Sequence, residues 1–140
     1  MVGHNASFPR NSTLLVIAGP TAVGKTAVAI DVALHFDCDI ISADSRQFYR
    51  ELKIGTAVPS IGQLSRRKHH FIGNLSLTDD YNVSRFEKEV LSVLPDLFSK
   101  NPVQVMTGGS GLFIKGVCEG IDDLPDADPA LRNSLHDKLE

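Results

Sequence analysis

The sequence predicts an α/β fold in which a parallel sheet is flanked by helices. Short, continuous apolar runs alternate with segments of helical periodicity, and two of these runs lead directly into glycine-rich turns. Continuous apolar runs are typical of parallel strands, because such strands are buried on both faces. The 140 residues are 42% hydrophobic and 22% charged, which is the composition of a globular domain and not of a disordered or collagen-like chain.

Composition and cysteine usage argue against several other classes of protein. The longest dense apolar stretch, residues 14–18, is far shorter than the ~18 residues that a membrane span needs. Residues 1–12 lack the basic-then-apolar layout of a secretory signal. Cys38 and Cys118 belong to no metal-binding or disulfide pattern, so we expect a protein of the reducing cytoplasm without a membrane anchor.

Charge is unevenly distributed along the chain. The net charge of −3 argues against a dedicated nucleic-acid-binding domain, yet residues 41–70 carry six basic side chains against two acidic ones. A basic region of this kind can hold phosphates, or it can be an ordinary solvated face. Composition alone leaves both interpretations open.

The elements follow one another in a regular order. We assign residues 1–12 to a flexible lead-in and residues 13–140 to one domain. Strands are expected at residues 14–18, 39–42 and 103–107. Helices are expected after the first glycine-rich turn, at residues 60–67, after a capping box of Ser84 and Glu87, from about Leu112, and after Asp128 and Pro129. Sheets of this class have about five or six strands, so we expect the truncated, N-terminal part of a larger enzyme.

The most specific motif follows the first strand and reads Gly19-Pro20-Thr21-Ala22-Val23-Gly24-Lys25-Thr26. Its spacing matches the phosphate-binding loop that joins a strand to a helix in P-loop NTPases. The glycines let successive backbone N–H groups point at phosphate oxygens, and the helix N-terminus adds partial positive charge. Lys25 can reach a terminal phosphate, and the Thr26 hydroxyl can enter the shell of a Mg²⁺ ion. The motif predicts a P-loop NTPase-like sheet with a nucleotide- or diphosphate-binding site, typical of ATP-binding proteins, but does not identify the phosphate.

Polar residues at the other two strand ends should face this loop, because ligands of open α/β sheets bind beyond the carboxyl ends of the strands. Asp44 follows the second strand and can hold Mg²⁺ through water, accept a proton, or simply cap the next segment. Ser110 lies in the turn Gly108-Gly109-Ser110-Gly111. That turn suits contacts to an anion, or it is a tight connection that needs positive φ. Both alternatives stay open for each residue.

The histidine pair His69-His70 lies beside Arg66, Arg67 and Lys68. Such a pair can meet an RNA backbone. Since no third metal-ligating residue lies nearby in the sequence, we favour a structural pair at the start of a strand.

Together these motifs resemble the tRNA dimethylallyltransferase family, also called tRNA isopentenyltransferases. The resemblance runs from about Leu14 to the end of the chain. Beyond the phosphate-binding loop it is carried by Ile41-Ser42-Ala43-Asp44-Ser45-Arg46-Gln47-Phe48-Tyr49, by Ile54-Gly55-Thr56-Ala57, by His69-His70-Phe71-Ile72, by Gly108-Gly109-Ser110-Gly111-Leu112-Phe113-Ile114-Lys115, and by Leu124-Pro125 with Asp128-Pro129 and Arg132. The phosphate-binding loop is generic. The stretch that contains Asp44-Ser45-x-Gln47-x-Tyr49, followed by Ile54-Gly55-Thr56-Ala57, is specific to the family.

The resemblance implies transfer of a dimethylallyl group from dimethylallyl diphosphate to the exocyclic amine of the adenosine beside the anticodon of tRNA. It implies that residues 19–26 hold the diphosphate with Mg²⁺, with Lys25 and Thr26 stabilising the leaving group. By the same resemblance Asp44 accepts the proton of the amine, and Ser110 lies close to the diphosphate and the target nucleotide. The residues implied to contact tRNA are Asp44, Ser45, Arg46, Gln47, Ser110 and Arg132. A monomer is expected.

The sequence departs from the family pattern at three positions. Val58 replaces the usual Lys before Pro59, Gly73 replaces the usual Asp, and Phe113 replaces the usual Tyr. These changes affect local polar contacts more than the reaction class. The catalytic arginine, the inserted helical domain and most of the tRNA-binding surface of the family are expected beyond residue 140, so residues 1–140 alone should bind tRNA weakly and show little or no catalysis.

Three alternatives share parts of this pattern. A P-loop small-molecule kinase would move the γ-phosphate of ATP and would not bind prenyl diphosphates. An adenylate isopentenyltransferase would prenylate free AMP. A non-catalytic nucleotide-binding module would keep its activity in cells when Asp44 is replaced by alanine.

Overall fold

Four parallel strands form one sheet in the computed structural model, which describes residues 8–52 and 54–122 and, beyond them, residues 128, 130, 134, 135, 137 and 138. The strands are β1 (Thr13–Ala18), β2 (Ile40–Ser42), β3 (His69–His70) and β4 (Val103–Gly108). Their order in the sheet is β1-β4-β2-β3, and every neighbouring pair is parallel. The three strands predicted from apolar runs are confirmed, and the histidine pair forms β3.

The predicted strand character of the histidine pair is also confirmed, since β3 consists of His69 and His70 alone. Each histidine is held through its ring. His70 Nε2 lies 2.8 Å from Asp39 Oδ2, and His69 Nδ1 lies 2.9 Å from the Arg67 carbonyl oxygen. His69 pairs with Ile40, the first residue of β2, so the histidines lie toward the amino ends of the strands.

Four helices connect the strands, namely α1 (Lys25–Phe36), α2 (Ile61–Arg66), α3 (Val83–Lys100) and α4 (Gly111–Glu119). The helices predicted in these regions are confirmed, while the capping box predicted at Ser84 is wrong. Asn82 is the N-cap of α3, with an extended backbone and a side chain that accepts a hydrogen bond from the Arg85 backbone N–H at 2.8 Å. Asparagine is at least as good an N-cap as serine, so the helix begins before Ser84.

The last predicted helix falls mostly outside the described residues. Asp128 Oδ1 accepts a hydrogen bond from the Ala130 backbone N–H at 2.9 Å, as a capping residue does. Within the part of the chain that the structure describes, no helix combines the length and the apolarity needed to cross a membrane.

The hydrophobic core lies on both faces of the sheet, because successive strand residues point in opposite directions. Ile40 and Val105 pack with Ala29 and Ile30 of α1 on one face. On the other face, Ile41 and Met106 pack with buried residues of α3 and α4, among them Phe86, Val90 and Val117. The continuous apolar pattern of the strands therefore reflects burial on both sides.

The carboxyl ends of β1, β2 and β4 meet at one edge of the sheet. Ala18 is in register with Gly108, and Ser42 with Thr107. The backbone of Gly108, at the end of β4, lies directly against the backbone of Ala43, which follows β2. A Cβ added at Gly108 would lie only 2.3 Å from the Ala43 carbonyl oxygen. Glycine is therefore required at this position, and the loops that follow the three strands are held side by side.

Candidate active site

A cavity of about 320 Å³ opens at this edge of the sheet, near the lower limit of the ~300–1,000 Å³ typical of small-molecule sites. The residues that line it come from the loop after β1 and the start of α1, from the turn after β2, from the end of β4, and from α2 and the segment that precedes it. They are Thr21, Ala22, Gly24, Lys25, Thr26, Asp44, Gln47, Ala57, Gln63, Thr107 and Gly108. The cavity thus brings the predicted phosphate loop and Asp44 together.

The loop before α1 has the backbone of an anion-binding turn. Gly24 is the N-cap of α1 with φ 90°, and Ala22 has φ 68°, so two residues of the loop are in the left-handed region. Gly24 has no side chain to satisfy the free N–H groups of the first helical turn. These N–H groups and the positive end of the helix dipole are therefore available to a negatively charged ligand.

Five of the eight residues predicted to bind the phosphate line the cavity: Thr21, Ala22, Gly24, Lys25 and Thr26. The other three, Gly19, Pro20 and Val23, complete the loop. Lys25 Nζ donates a hydrogen bond to the Pro20 carbonyl oxygen, which folds the lysine back across its own loop. The ammonium group is therefore held at the wall of the cavity.

Asp44 closes the turn after β2 and also lines the cavity. Its Oδ1 accepts a hydrogen bond from the Arg46 backbone N–H at 3.1 Å, which closes a turn after β2. The residue is only 8% exposed and lines the same cavity as the loop after β1. Since one carboxylate oxygen accounts for the turn, capping and a chemical role are compatible.

Ser110 joins the turn after β4 to the turn after β2. Its Oγ accepts a hydrogen bond from the Ser45 backbone N–H at 2.9 Å and donates one to Ser45 Oγ at 3.1 Å. Neither Gly108, Gly109 nor Gly111 has a positive φ, so the glycine-rich turn does not owe its composition to left-handed backbone. The close approach at Gly108 supplies the reason instead. Ser45, Arg46 and Ser110 are not among the residues that line the cavity. Ser45 and Arg46 directly follow Asp44 in the chain, and Ser110 is hydrogen-bonded to Ser45.

Gln47 is buried and connects three segments. Its Oε1 accepts a hydrogen bond from Ser42 Oγ at 3.1 Å, and its Nε2 donates to the carbonyl oxygens of Thr56 and Ala57 at 3.3 and 3.0 Å. The residue therefore lines the cavity and at the same time fastens another part of the cavity wall.

Four lining residues were not predicted as site residues, namely Ala57, Gln63, Thr107 and Gly108, although Ala57 and Gly108 lie in motifs that carry the family resemblance. Gln63 is positioned by the capping box of α2, in which Ser60 Oγ accepts from the Gln63 backbone N–H and Gln63 Oε1 accepts from the Ser60 backbone N–H. This box could have been found from the pattern Ser60-x-x-Gln63. Thr107 Oγ1 donates to the Ile17 carbonyl oxygen, which only strand pairing reveals.

Two of the three departures from the family pattern have local explanations, and nothing in the structure explains Val58. Phe113 packs its ring against Phe48 and Phe86, with centroids 5.4 and 5.3 Å away, so its surroundings are apolar. Gly73 has φ 60°, a backbone that glycine adopts without strain. Val58 directly follows the cavity-lining Ala57. Arg132, predicted to contact tRNA, lies outside the described residues.

The oxygen donors in the cavity are too few to hold a magnesium ion alone, but they suit one that is also bound by a phosphate ligand. Thr26 and Asp44 place a hydroxyl and a carboxylate at the same cavity. Among the described residues no group of three His, Cys, Asp or Glu side chains is arranged to hold a metal. Magnesium is usually held by one or two protein oxygens together with substrate phosphates and water, so this donor set fits a phosphate-bound Mg²⁺.

The parallel sheet and the glycine-rich loop after β1 define an α/β protein with a P-loop NTPase-like fold. A family model described as IPP transferase matches residues 47–140, and the chain belongs to this family. The chain is 54% identical over 127 residues to a tRNA dimethylallyltransferase of Christiangramia forsetii and 49% identical over 127 residues to one of Flavobacterium psychrophilum. These matches cover 91% of this chain but 42% and 41% of the relatives, so the chain spans about two fifths of their length.

Solved structures agree with the sequence comparisons. The fold matches the tRNA isopentenylpyrophosphate transferase of Bacillus halodurans with a TM-score of 0.76 at 28% identity, covering 91% of this chain and 43% of that one. It matches the tRNA isopentenylpyrophosphate transferase of Staphylococcus epidermidis with a TM-score of 0.73 at 31% identity, covering 91% and 42%. The resemblance drawn from the sequence motifs and the predicted fold class are confirmed.

Proposed function

We propose that the protein containing this chain transfers a dimethylallyl group from dimethylallyl diphosphate to the exocyclic amine of the adenosine next to the anticodon of tRNA. The observation that carries the proposal is that Asp44, Lys25, Thr26 and the N-cap of α1 line one cavity. This reaction requires a proton acceptor and an anion site in the same space. The relatives named tRNA dimethylallyltransferase support the choice of substrates.

The reaction would join the amine nitrogen to the terminal allylic carbon as the bond from that carbon to the diphosphate oxygen breaks. The amine loses one proton, and diphosphate departs with the bonding electrons. Asp44 would accept that proton, since its carboxylate lines the cavity with one oxygen left over from the turn. Lys25, the Thr26 hydroxyl and the loop N–H groups would stabilise the negative charge that grows on the diphosphate.

Magnesium would be held by the Thr26 hydroxyl, with the diphosphate and water completing its shell. When bound, the ion neutralises part of the diphosphate charge. The role of this chain's residues is to place this hydroxyl at the wall of the cavity, next to the helix N-terminus.

Transfer to tRNA further requires that the target adenosine leave its stack and enter the cavity. We assign Ser45, Arg46, Gln47 and Ser110 to the region that receives it, because they adjoin Asp44, which lines the cavity. Arg132 is assigned to a more distant contact on family resemblance alone. We further propose that the protein acts in the cytoplasm as a monomer.

The experiment uses the full gene product that contains these 140 residues. It is incubated with Mg²⁺, radiolabelled dimethylallyl diphosphate and unmodified tRNA, with parallel reactions that offer AMP or labelled ATP and small acceptors. We expect label in tRNA. Transfer of label to free AMP would instead identify an adenylate isopentenyltransferase, and movement of the ATP γ-phosphate would identify a kinase; either result would overturn the proposal.

Two variants test the assigned roles. Asp44→Asn keeps an oxygen for the Arg46 N–H but removes the base, and we expect kcat to fall by about 10²–10⁴-fold. Lys25→Ala removes a charge from the anion site, and we expect a fall of about 10²–10³-fold. The matched controls are Asp96→Asn and Lys100→Ala, an exposed ion pair with Nζ–Oδ2 3.0 Å on α3. If the site variants were as active as these controls, Asp44 and Lys25 would have no part in the reaction.

A further inference from the structure

Gln47 links the end of β2 to the segment of residues 54–58. The segment forms part of the cavity wall through Ala57. Within it, Thr56 is buried and its Oγ1 donates to the Leu52 carbonyl oxygen, while Ile54 at the outer tip is 96% exposed. The segment is therefore fastened at its buried side and projects into solvent at its tip.

The amide of Gln47 can be oriented in one way only. Two of its contacts, the carbonyl oxygens of Thr56 and Ala57, are acceptors, so the atom facing them must be the NH₂ group. The remaining oxygen then accepts from the Ser42 hydroxyl. Both N–H donors are used inside the protein, and none is left for a ligand while the segment keeps this position.

The segment needs this support because part of its backbone is strained. Ala57 has φ 49°, in the left-handed region that residues with a Cβ rarely adopt. Its neighbour Gly55, at φ 76°, adopts such a conformation without penalty. Strained residues at functional sites persist only where the surroundings hold them, and the hydrogen bond from Gln47 Nε2 to the Ala57 carbonyl oxygen is such a restraint.

We propose that Gln47 is a positioning residue, whose side-chain amide holds the Thr56–Ala57 wall of the cavity in place and does not itself bind the substrate. This assignment rests on the proposed tRNA prenylation for its activity readout. Gln47 belongs to the region assigned to the adenosine, and its contribution there is to fix the position of the cavity wall at Ala57. The hydrogen bond from Gln47 to the Ala57 carbonyl oxygen thus stabilises the strained backbone of Ala57.

The test uses the full gene product. It combines a variant that removes the side-chain hydrogen bonds of Gln47 with one that removes the backbone strain at Ala57. Gln47→Met keeps an unbranched side chain of similar length but removes all three hydrogen bonds. Ala57→Gly removes the penalty for positive φ, so the segment needs these hydrogen bonds less. Prenylation of tRNA and amide hydrogen exchange of residues 54–58 are measured for Gln47→Met, Ala57→Gly and the double variant.

We expect Gln47→Met to lower kcat/KM at least tenfold and to speed the exchange of residues 54–58. In the double variant we expect kcat/KM to return to within threefold of Ala57→Gly alone. A loss that Ala57→Gly does not repair, with unchanged exchange, would mean that the amide contacts the substrate directly and would overturn the proposal. Full activity of Gln47→Met would overturn it as well.

A substitute variant and a readout that is independent of activity cover the two ways in which this test could fail. If Gln47→Met does not fold, as judged by circular dichroism, Ser42→Ala replaces it, since that change removes only the donor that anchors Gln47 Oε1. Faster exchange of residues 54–58 in Ser42→Ala supports the positioning role of Gln47, and unchanged exchange overturns it. If the unaltered protein prenylates no tRNA, the proposed function has failed while the exchange measurement still decides the role of Gln47.

Discussion

Replacing Gly108 by alanine should separate the ends of β2 and β4. An alanine Cβ at this position would lie 2.3 Å from the Ala43 carbonyl oxygen, whereas real Cβ atoms stay at least 3.0 Å from such neighbours, so the two chains must move apart by about 0.7 Å. The obstacle is backbone on both sides and cannot turn away. The movement therefore has to strain the hydrogen bonds that join the two strand ends.

Two of these bonds involve the buried Ala43. Its N–H donates to the Thr107 carbonyl oxygen at 2.8 Å, and its carbonyl oxygen accepts from the Ser110 N–H at 3.3 Å. At about 1 kcal/mol each, with about 1–3 kcal/mol for overpacking, we expect Gly108→Ala to lower the free energy of unfolding by about 3–5 kcal/mol. That is a large part of the ~5–15 kcal/mol that stabilises a typical protein.

The measurement is urea unfolding of the full gene product, followed by circular dichroism. Gly111→Ala is the matched control, because no atom lies within 4 Å of its added Cβ and its φ is not positive. As the first residue of α4, alanine there should stabilise by about 0.4–1 kcal/mol. Activity of the folded Gly108→Ala fraction should fall further, since a ~1 Å displacement at a reacting centre costs up to 10²-fold. If Gly108→Ala unfolded within 1 kcal/mol of the unaltered protein, the close approach would not be the reason for this glycine.

Two other predictions concern the capping of α3 and the response to acid. Asn82→Ala should cost about 1 kcal/mol of unfolding free energy because it removes the N-cap, while Ser84→Ala, in the interior of the first turn, should cost much less; equal costs in urea unfolding would contradict the cap assignment. Burial lowers the pKa of His69 below its usual 6.5, so the unfolded chain binds more protons than the folded one and stability should fall as the pH drops below about 6.5. His69→Asn should flatten this part of the curve of unfolding free energy against pH without affecting stability at pH 8, and an unchanged slope would exclude His69 as the cause.

Features that depend on a few consecutive residues were predicted well from the sequence. The phosphate loop, with left-handed backbone at Ala22 and Gly24, lies where its glycine spacing placed it. The strands around residues 14–18, 39–42 and 103–107 are present because buried parallel strands leave continuous apolar runs. The error at Ser84 is also local. Two residues that can cap a helix lie two positions apart, and the backbone of Asn82 decides between them.

Features that join distant parts of the chain could not be predicted in this way. β3 has only two residues, too few to show any periodicity. Ser45 and Ser110 are 65 residues apart, and their hydrogen bond exists because β2 and β4 are neighbours in the sheet. Gln47 lay within a motif that resemblance linked to tRNA, but only the structure shows its amide engaged with Thr56 and Ala57.

The sequence by itself therefore determined the phosphate loop, the apolar strands and helices, and the family, because each is written in the types and spacing of neighbouring residues. The tertiary structure decided the order β1-β4-β2-β3 and, with it, which side chains meet at the cavity. It also decided that Gly108 must be a glycine and that Gln47 supports a strained wall. The physical reason is the same in each case: close packing and buried hydrogen bonds depend on which strands lie side by side, and no local pattern specifies that.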